Sequence, residues 1–184
     1  MAAVTAQAAQ PPRIRTTQAG DEVACAAIYA PYVLETPISF ELTPPTPAQM
    51  AERIRAAHLW LVAERDGTVV GFAYAGAHNP REAYRWSADV SVYVDAASHG
   101  RGIGRALYAT LFERLRERGF CMVCAGITEP NEASNALHES LGFVEVGTYR
   151  RIGFKGGRWH DVRWMQLEID DGGPAPPDPR GPAL

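Results

Sequence analysis

Cysteine is scarce. Three residues in 184, Cys25, Cys121 and Cys124, are too few and odd in number for a disulfide framework. They suit a reducing compartment, so the expected location is the cytoplasm. Cys121-Met-Val-Cys124 has the letters of a CxxC pair. It falls in an expected strand, where residues three apart point to opposite faces, so buried core thiols are expected and no metal site. A run of roughly 20 apolar residues, the length that crosses a bilayer, occurs nowhere, and no membrane partner is expected. Met1 to Pro12 has neither a basic start nor a continuous apolar core, so it does not read as a signal peptide. Positive charge is in slight deficit, with 18 Lys+Arg against 21 Asp+Glu and a net charge of −3. Without a long basic patch, nucleic acid is not expected as a partner. Arg150, Arg151, Lys155, Arg158 and Arg163 form a milder cluster that reads as a solvated strand face. The Gly-Lys-Ser/Thr ending of a triphosphate loop is missing. So are the full GxGxxG spacing and a following acidic ribose partner, which excludes a dinucleotide site. No internal repeat is present.

What is present is an ordinary globular composition, 46% hydrophobic and 21% charged, long enough for one domain with a real core. The chain is organised around Ala88 to Gly119. Val90, Val92 and Val94 alternate with Asp89, Ser91 and Tyr93, the period of a strand. Gly100-Arg101-Gly102-Ile103-Gly104 follows, and then an amphipathic helix with Leu107, Leu111 and Leu115 on one side and Gly119 as its stop. Strand, glycine loop and helix can cradle phosphate. Glycine admits close backbone approach, the first helical amides are unpaired, and Arg101 and Arg105 add positive charge. A tight glycine turn with no ligand is an equally good reading of the loop alone.

The remaining elements follow in order. Residues 1–12 read as a disordered leader, 13–169 as one domain, and 170–184 as a disordered Pro/Gly-rich tail. Arg13 to Thr16 is a strand. Asp21 to about Glu35 is helical, with Val23, Ala27, Tyr29, Val33 and Leu34 as its apolar side and Pro31 kinking or splitting it. Thr46 caps a helix with proline at its first position, ending near Ala57. Leu59–Arg65 and Thr68–Ala77 form a hairpin about Asp66-Gly67. A loop or short turn over residues 79–84 precedes the organising strand. Phe120 to Ile127 is a strand running parallel to 88–94 through the helical crossover. Asn131 to Leu141 is a helix, and Phe143–Phe154 with Trp159–Ile169 a second hairpin. The order βααβββαβαββ makes an α/β (α+β) domain, one mixed and mostly antiparallel sheet of about seven strands flanked by helices.

Several motifs resemble one family. The glycine loop after Val92-Tyr93-Val94 resembles the acetyl-CoA pyrophosphate loop of the GNAT superfamily of N-acetyltransferases. Thr36-Pro-Ile-Ser-Phe40-Glu41, Arg81 through Val94, Asn131 through Phe143, and Gly153 through Val162 resemble its phosphinothricin/methionine sulfoximine acetyltransferases, over residues 13–169. The resemblance implies a GNAT-like domain splayed between its fourth and fifth strands, where the thioester arm enters. It also implies acetyl-CoA as co-substrate with no metal, a small-molecule amine as substrate, and a homodimer. The expected reaction is direct transfer of acetyl to the α-amine of a small amino-acid-like compound of the phosphinothricin, methionine sulfoximine or methionine sulfone type. No Cys or Ser sits in a nucleophile motif. Acetylation of another amine or of a protein N-terminus, and a non-catalytic CoA-binding sensor, are the alternatives.

The same resemblance assigns roles. Asp89 stands where the family has a catalytic Glu, one methylene longer. Read without the family, it is a solvent-facing carboxylate on a half-exposed strand. Asn131, Ser134 and His138, spaced i, i+3, i+7, share a helical face beside Leu137 and Leu141. Asn131 is a natural N-cap, and by resemblance Asn131 and Ser134 border the CoA arm, while His138 is placed to donate to the thiolate or to help orient it. The backbone of Val92, Tyr93 and Val94 is expected to pair with pantetheine, with the Val92 amide as oxyanion donor. Gly100, Arg101, Gly102, Ile103, Gly104 and Arg105 would hold the pyrophosphate, with His99 in place of the usual Gln or Arg. Arg81 and Tyr84 match substrate residues, an Arg fork suiting a carboxylate. Phe40, Glu41 and Trp86 are candidates for the pocket lining. His160 reads as structural or as a dimer contact.

Overall fold

The computed structural model describes residues 11–173 and 176–179. The leader expected over residues 1–12 therefore lies outside the described residues up to position 10, and so do residues 174–175 and 180–184 of the tail.

Eleven elements follow in sequence: β1 (Arg13–Thr16), α1 (Asp21–Glu35), α2 (Pro47–Ala56), β2 (Leu59–Arg65), β3 (Thr68–Ala77), β4 (Ser87–Val94), α3 (Ile103–Glu117), β5 (Met122–Thr128), α4 (Glu132–Ser140), β6 (Val144–Lys155) and β7 (Arg158–Glu168). They build a seven-stranded sheet in the order β1-β2-β3-β4-β5-β7-β6. Only β4 and β5 run parallel among its neighbours. Local chemistry accounts for the joints. Asp66 and Gly67 both take positive φ, 51° and 75°, which closes a two-residue hairpin with the right twist. Thr46 accepts the Gln49 amide while the Gln49 side chain accepts the Thr46 amide, a reciprocal cap with proline just inside α2.

The sheet carries a hydrophobic core on each face. Along β2, Leu59, Leu61 and Ala63 point to the core under α3, and Trp60 and Val62 to the core under α1 and α2. Leu107, Leu111 and Leu115 of α3 are fully buried, each worth about 1.5–3 kcal/mol of hydrophobic stabilisation. Helix α1 runs unbroken through Pro31, so the proline does not split it. Its buried side is Asp21, Cys25, Ala26, Ile28, Tyr29 and Val33, while Val23, Ala27 and Leu34 are exposed. Tyr29 and Val33 are buried as expected, and Val23, Ala27 and Leu34 are not. The structure instead buries small Cys25 and Ala26, which let the helix approach the sheet. Cys121 precedes β5 and Cys124 is only half-buried, so these two are not core thiols.

In the tail, Pro177 O accepts the Trp86 indole N–H at 2.8 Å, Arg85 pairs with Asp178 at 3.0 Å, and Pro179 lies against Gly119. These described residues thus hold specific contacts, which the expectation of a disordered tail did not include. A Pro-rich segment loses little backbone freedom on docking, so a few contacts suffice to seat it.

Candidate active site

The cleft comes from strand pairing that stops early. β4 meets β5 only over Ser87–Asp89 and Met122–Cys124, after which β5 continues against β7. The amide of Asp95 bonds to Val70 O in the ladder with β3, which fixes the phase of β4. Alternation then turns the main-chain groups of Val92 and the Val94 amide away from β3, toward the gap. Tyr93 has its main-chain groups on the β3 side. This corrects the expectation that Tyr93 pairs with an inserted ligand through its backbone. Val94 O accepts from the Tyr32 hydroxyl at 2.6 Å and from His99 Nε2 at 3.0 Å, so His99 and Tyr32 brace the end of β4.

The glycine loop ends this strand's turn into α3. Gly100 and Gly102 hold φ of 72° and 73°, accessible to glycine without strain. Gly102 caps α3 with no side-chain bond, leaving the amides of Ile103, Gly104 and Arg105 as the unpaired first turn. At Gly104 a Cβ would sit 3.3 Å from Leu137 Cδ2 and 3.8 Å from Val92 Cγ2, in the gap between α3, α4 and β4. Bare backbone amides, a helix N-terminus and a cradle without a Cβ fit a pyrophosphate. Ile103 is buried and anchors the helix, and Arg101 is exposed beside the amides. Arg105 is directed elsewhere: its guanidinium donates to Ser140 Oγ at 2.5 Å and Ser140 O at 3.2 Å. It ties α3 to α4 through neutral acceptors, so its formal positive charge is not neutralised there.

A cavity of about 640 Å³ opens on the α1/α2 face of the sheet, walled by Ile38, Phe40, Tyr74, Tyr149 and Trp164 with Asp89 and Ser91 at its floor. It continues through Val90, Ser91, Gly126 and Thr128 into a notch lined by Val92, Tyr108, Asn131, Ser134 and His138. Asp89 sits where the strands part. Burial pushes its carboxyl upward, and a 2.7 Å hydrogen bond from His78 Nδ1 opposes this without cancelling it. His78 ends β3's approach and was not singled out from the sequence. A lone His beyond a strand carries no signal until the register places it beside Asp89.

In the notch, Asn131 Oδ1 accepts the Ser134 amide at 3.1 Å, so Asn131 is an N-cap as well as a cleft residue. His138 is buried rather than on the surface. Its Nδ1 lies 2.7 Å from Ser134 O, and because a carbonyl only accepts, that nitrogen carries the proton. Nε2 then accepts from the Tyr108 hydroxyl at 3.3 Å. Burial also lowers the His138 pKa, which favours the neutral ring. This tautomer has no Nε2 proton to give, so of the two roles expected for His138 it fits the orienting one. Tyr108 was missed because in the sequence it reads only as a core position of α3.

The other expected pocket residues divide. Phe40 lines the cavity, and its ring packs so closely on Gly153 that a Cβ there would clash. Glu41 does not line it. Its carboxylate accepts two bonds from Arg53 (2.6 and 2.9 Å) and one from the Tyr29 hydroxyl (2.9 Å), holding the 36–45 loop onto α1 and α2. Lys155 supports the same loop by donating to Val33 O and Ser39 O. Arg81 begins the short turn Glu82–Tyr84 and is exposed, and the Tyr84 ring lies 5.7 Å from the His78 ring, at the rim near Asp89. Trp86 lies under the tail with Arg85 stacked on it, so it is not a pocket wall. His160 is buried and bonds to Lys155 O, a structural role.

A splayed β4/β5 pair beside an uncapped glycine-led helix defines an acetyl-CoA-using transferase fold. The chain belongs to the acetyltransferase (GNAT) family, whose profile matches residues 26–143. It is an N-acetyltransferase with acetyl-CoA as donor. It is 39% identical over 176 residues to the phosphinothricin N-acetyltransferase of Streptomyces viridochromogenes, covering 94% of this chain and 95% of that one. It is 40% identical over 111 residues to the L-methionine sulfoximine/L-methionine sulfone acetyltransferase of Salmonella typhimurium, covering 60% and 65%. A phosphinothricin acetyltransferase from Sinorhizobium meliloti, solved with AcCoA, superposes with a TM-score of 0.86 at 35% identity, covering 93% and 94%.

Proposed function

We propose that this enzyme acetylates the α-amine of a small amino-acid-like substrate of the phosphinothricin, methionine sulfoximine or methionine sulfone type. The observation that carries the reading is the Asp89 carboxylate, half-buried and bonded to His78, at the point where the amine cavity meets the notch between β4 and β5. An α-amino group with a pKa near ~8 is mostly protonated at neutral pH, so a base must take its proton before the nitrogen can attack. Asp89 accepts that proton, directly or through a water that makes up the methylene it lacks. The amine attacks the thioester carbonyl, the Val92 amide stabilises the oxyanion, and the carbon–sulfur bond breaks. The departing sulfur takes the Tyr108 hydroxyl proton, which turns to it from His138 Nε2, and solvent returns a proton to the phenolate after CoA leaves. The amides of Ile103, Gly104 and Arg105 hold the pyrophosphate, with Gly100, Arg101 and Gly102 shaping the approach. Tyr84, beside His78, and Arg81, exposed at the head of the same turn, meet the substrate carboxylate, and Phe40 packs on its side chain. Transfer is direct. The nearest thiol, Cys124, is pushed up to about 11 by burial and by Asp89, and so stays protonated and poorly nucleophilic.

Three free cysteines and the lack, among the described residues, of any helix long and apolar enough to cross a membrane support a cytoplasmic setting. Val144, Val146, Ile152 and Phe154 lie exposed along the edge strand β6, and with the family's habit they support a homodimer through this arm. The test of the function is release of free CoA thiol from acetyl-CoA over a panel of phosphinothricin, methionine sulfoximine, methionine sulfone, the standard amino acids and an N-terminal peptide. Turnover on one of the first three, reduced about 100-fold or more in Asp89→Ala, is expected. Turnover on the peptide alone would replace the amino-acid reading with a protein one.

A further inference from the structure

His78 and Asp89, paired for acetyl transfer, meet a third side chain that the reaction does not use, Cys124. Asp89 on β4 stands beside Cys124 in the parallel pair with β5 and opposite Gly76 on β3, with His78 two residues further along. Ala88, Val90, Val123 and Ala125 point into the core under α3, so Asp89 and Cys124 share the opposite face of the sheet. One donor atom from each of the three side chains lies within 4.8 Å of the others. All three residues are half-buried, and a cavity of about 430 Å³ reaches His78 and Cys124.

Thiolate, imidazole and carboxylate together suit a borderline-soft divalent cation, whereas Mg²⁺ and Ca²⁺ take oxygen ligands. Three protein donors beside an open cavity leave a fourth position for water or a ligand. Metal–donor bonds of about 2.0–2.3 Å place tetrahedral donors about 3.3–3.8 Å apart, so donors already within 4.8 Å of one another have about 1 Å to close. We propose that His78, Asp89 and Cys124 bind a Zn²⁺-class cation, and that its binding switches acetyl transfer off by occupying the Asp89 carboxylate. The binding half stands on the cluster alone; the inhibitory half rests on Asp89 as the base argued above. On binding, Cys124 releases its thiol proton to solvent as the sulfur–metal bond forms. The imidazole ligates through Nδ1, the nitrogen now bonded to Asp89; the proton held there passes by way of solvent to Nε2 as the nitrogen–metal bond forms, and nothing is oxidised or reduced.

The test begins with untagged protein free of CoA, titrated with Co²⁺ as a coloured stand-in for Zn²⁺. Near-ultraviolet sulfur-to-metal absorption saturating at one equivalent is expected, displaced by Zn²⁺ and not by Mg²⁺. It should vanish in Cys124→Ser and persist in Cys121→Ser, while His78→Gln weakens binding about 10–100-fold. No absorption, or absorption lost with Cys121→Ser and kept in Cys124→Ser, overturns the site. Zn²⁺ is then added to turning-over enzyme, each variant referred to its own metal-free rate. Inhibition reversed by EDTA, needing at least about 10-fold more Zn²⁺ in Cys124→Ser, supports the switch. Equal sensitivity in that variant overturns it. Metal binding by a protein that turns over no amine supports the site and counts against the acetylation reading instead.

Discussion

At the residue scale, the site turns on which atoms still have a proton to move. The Ser134 carbonyl fixes the His138 proton on Nδ1, so the Tyr108 hydroxyl becomes the donor in the notch. Tyr108→Phe keeps the ring stacked on Phe112 and removes only that hydroxyl. Its kcat should fall about 100-fold while KM for acetyl-CoA stays put, read from initial rates with either substrate varied. Leaving His138 Nε2 without its donor should also cost about 1–3 kcal/mol of stability. An unchanged kcat would remove Tyr108 from the reaction and leave it a core residue. The sequence pointed to the right neighbourhoods here and missed partners set by long-range register. Asp89 was readable from strand alternation and family likeness. His78 and Tyr108 were not, because their roles come from neighbours 11 and 30 residues away. Glu41 misled in the other direction: its motif lies in a pocket-lining loop, but its carboxylate serves as the loop's internal brace.

At the element scale, the amphipathic and capped segments were legible to within a residue or two, since their causes are local. The Asp66-Gly67 hairpin and the Thr46 cap of α2 are of this kind. The burial side of α1 was not, because it depends on the sheet beneath. One consequence of that packing is testable. Asp21 opens α1 and receives two bonds from Arg15 of β1, at 2.6 and 3.0 Å, while Arg15 also holds Glu64 of β2. Burial pushes the Asp21 carboxyl up, but the Arg15 hydrogen bond, the Gln18 amide and the Arg15 charge together outweigh it and hold the pKa below its usual value. The unfolded chain therefore binds this proton first as pH falls. The stabilisation is fully present above the unfolded carboxylate pKa of about 3.9 and is lost as pH drops through the lower folded value. Asp21→Asn should cost about 1.5–3 kcal/mol near pH 7, a fall in Tm on the order of 5 °C, and the cost should shrink at the acid end. Melting curves from pH 7 down to pH 3 would show the gap between wild type and variant closing. A gap that stays constant would mean that the pair contributes nothing through its charge.

At the scale of the whole molecule, the sheet's two edges are treated differently. β1 is a four-residue edge held by Arg15. β6 is a twelve-residue edge that leaves Val144, Val146, Tyr149, Ile152 and Phe154 exposed, with Trp159 of β7 packed on Phe154. A long apolar edge on an isolated monomer is an aggregation hazard, and proteins normally cover it. The same strand supplies Tyr149 and Ile152 to the wall of the substrate cavity. A second copy seated on β6 would therefore bury the edge and stiffen one side of the active site in the same step. Val144→Glu with Phe154→Asp places two charges on that edge, outside the cavity at Asp89 and outside the one that reaches His78 and Cys124. Sedimentation should show a dimer for the wild-type protein and a monomer for the double variant. The monomer should keep its acetyl-CoA affinity, because the α3 loop lies on the far side of β4. Its KM for the amine should rise, because the wall carrying Tyr149 and Ile152 is no longer held. A wild-type protein that sediments as a monomer at micromolar concentration would instead leave this face without a self-partner.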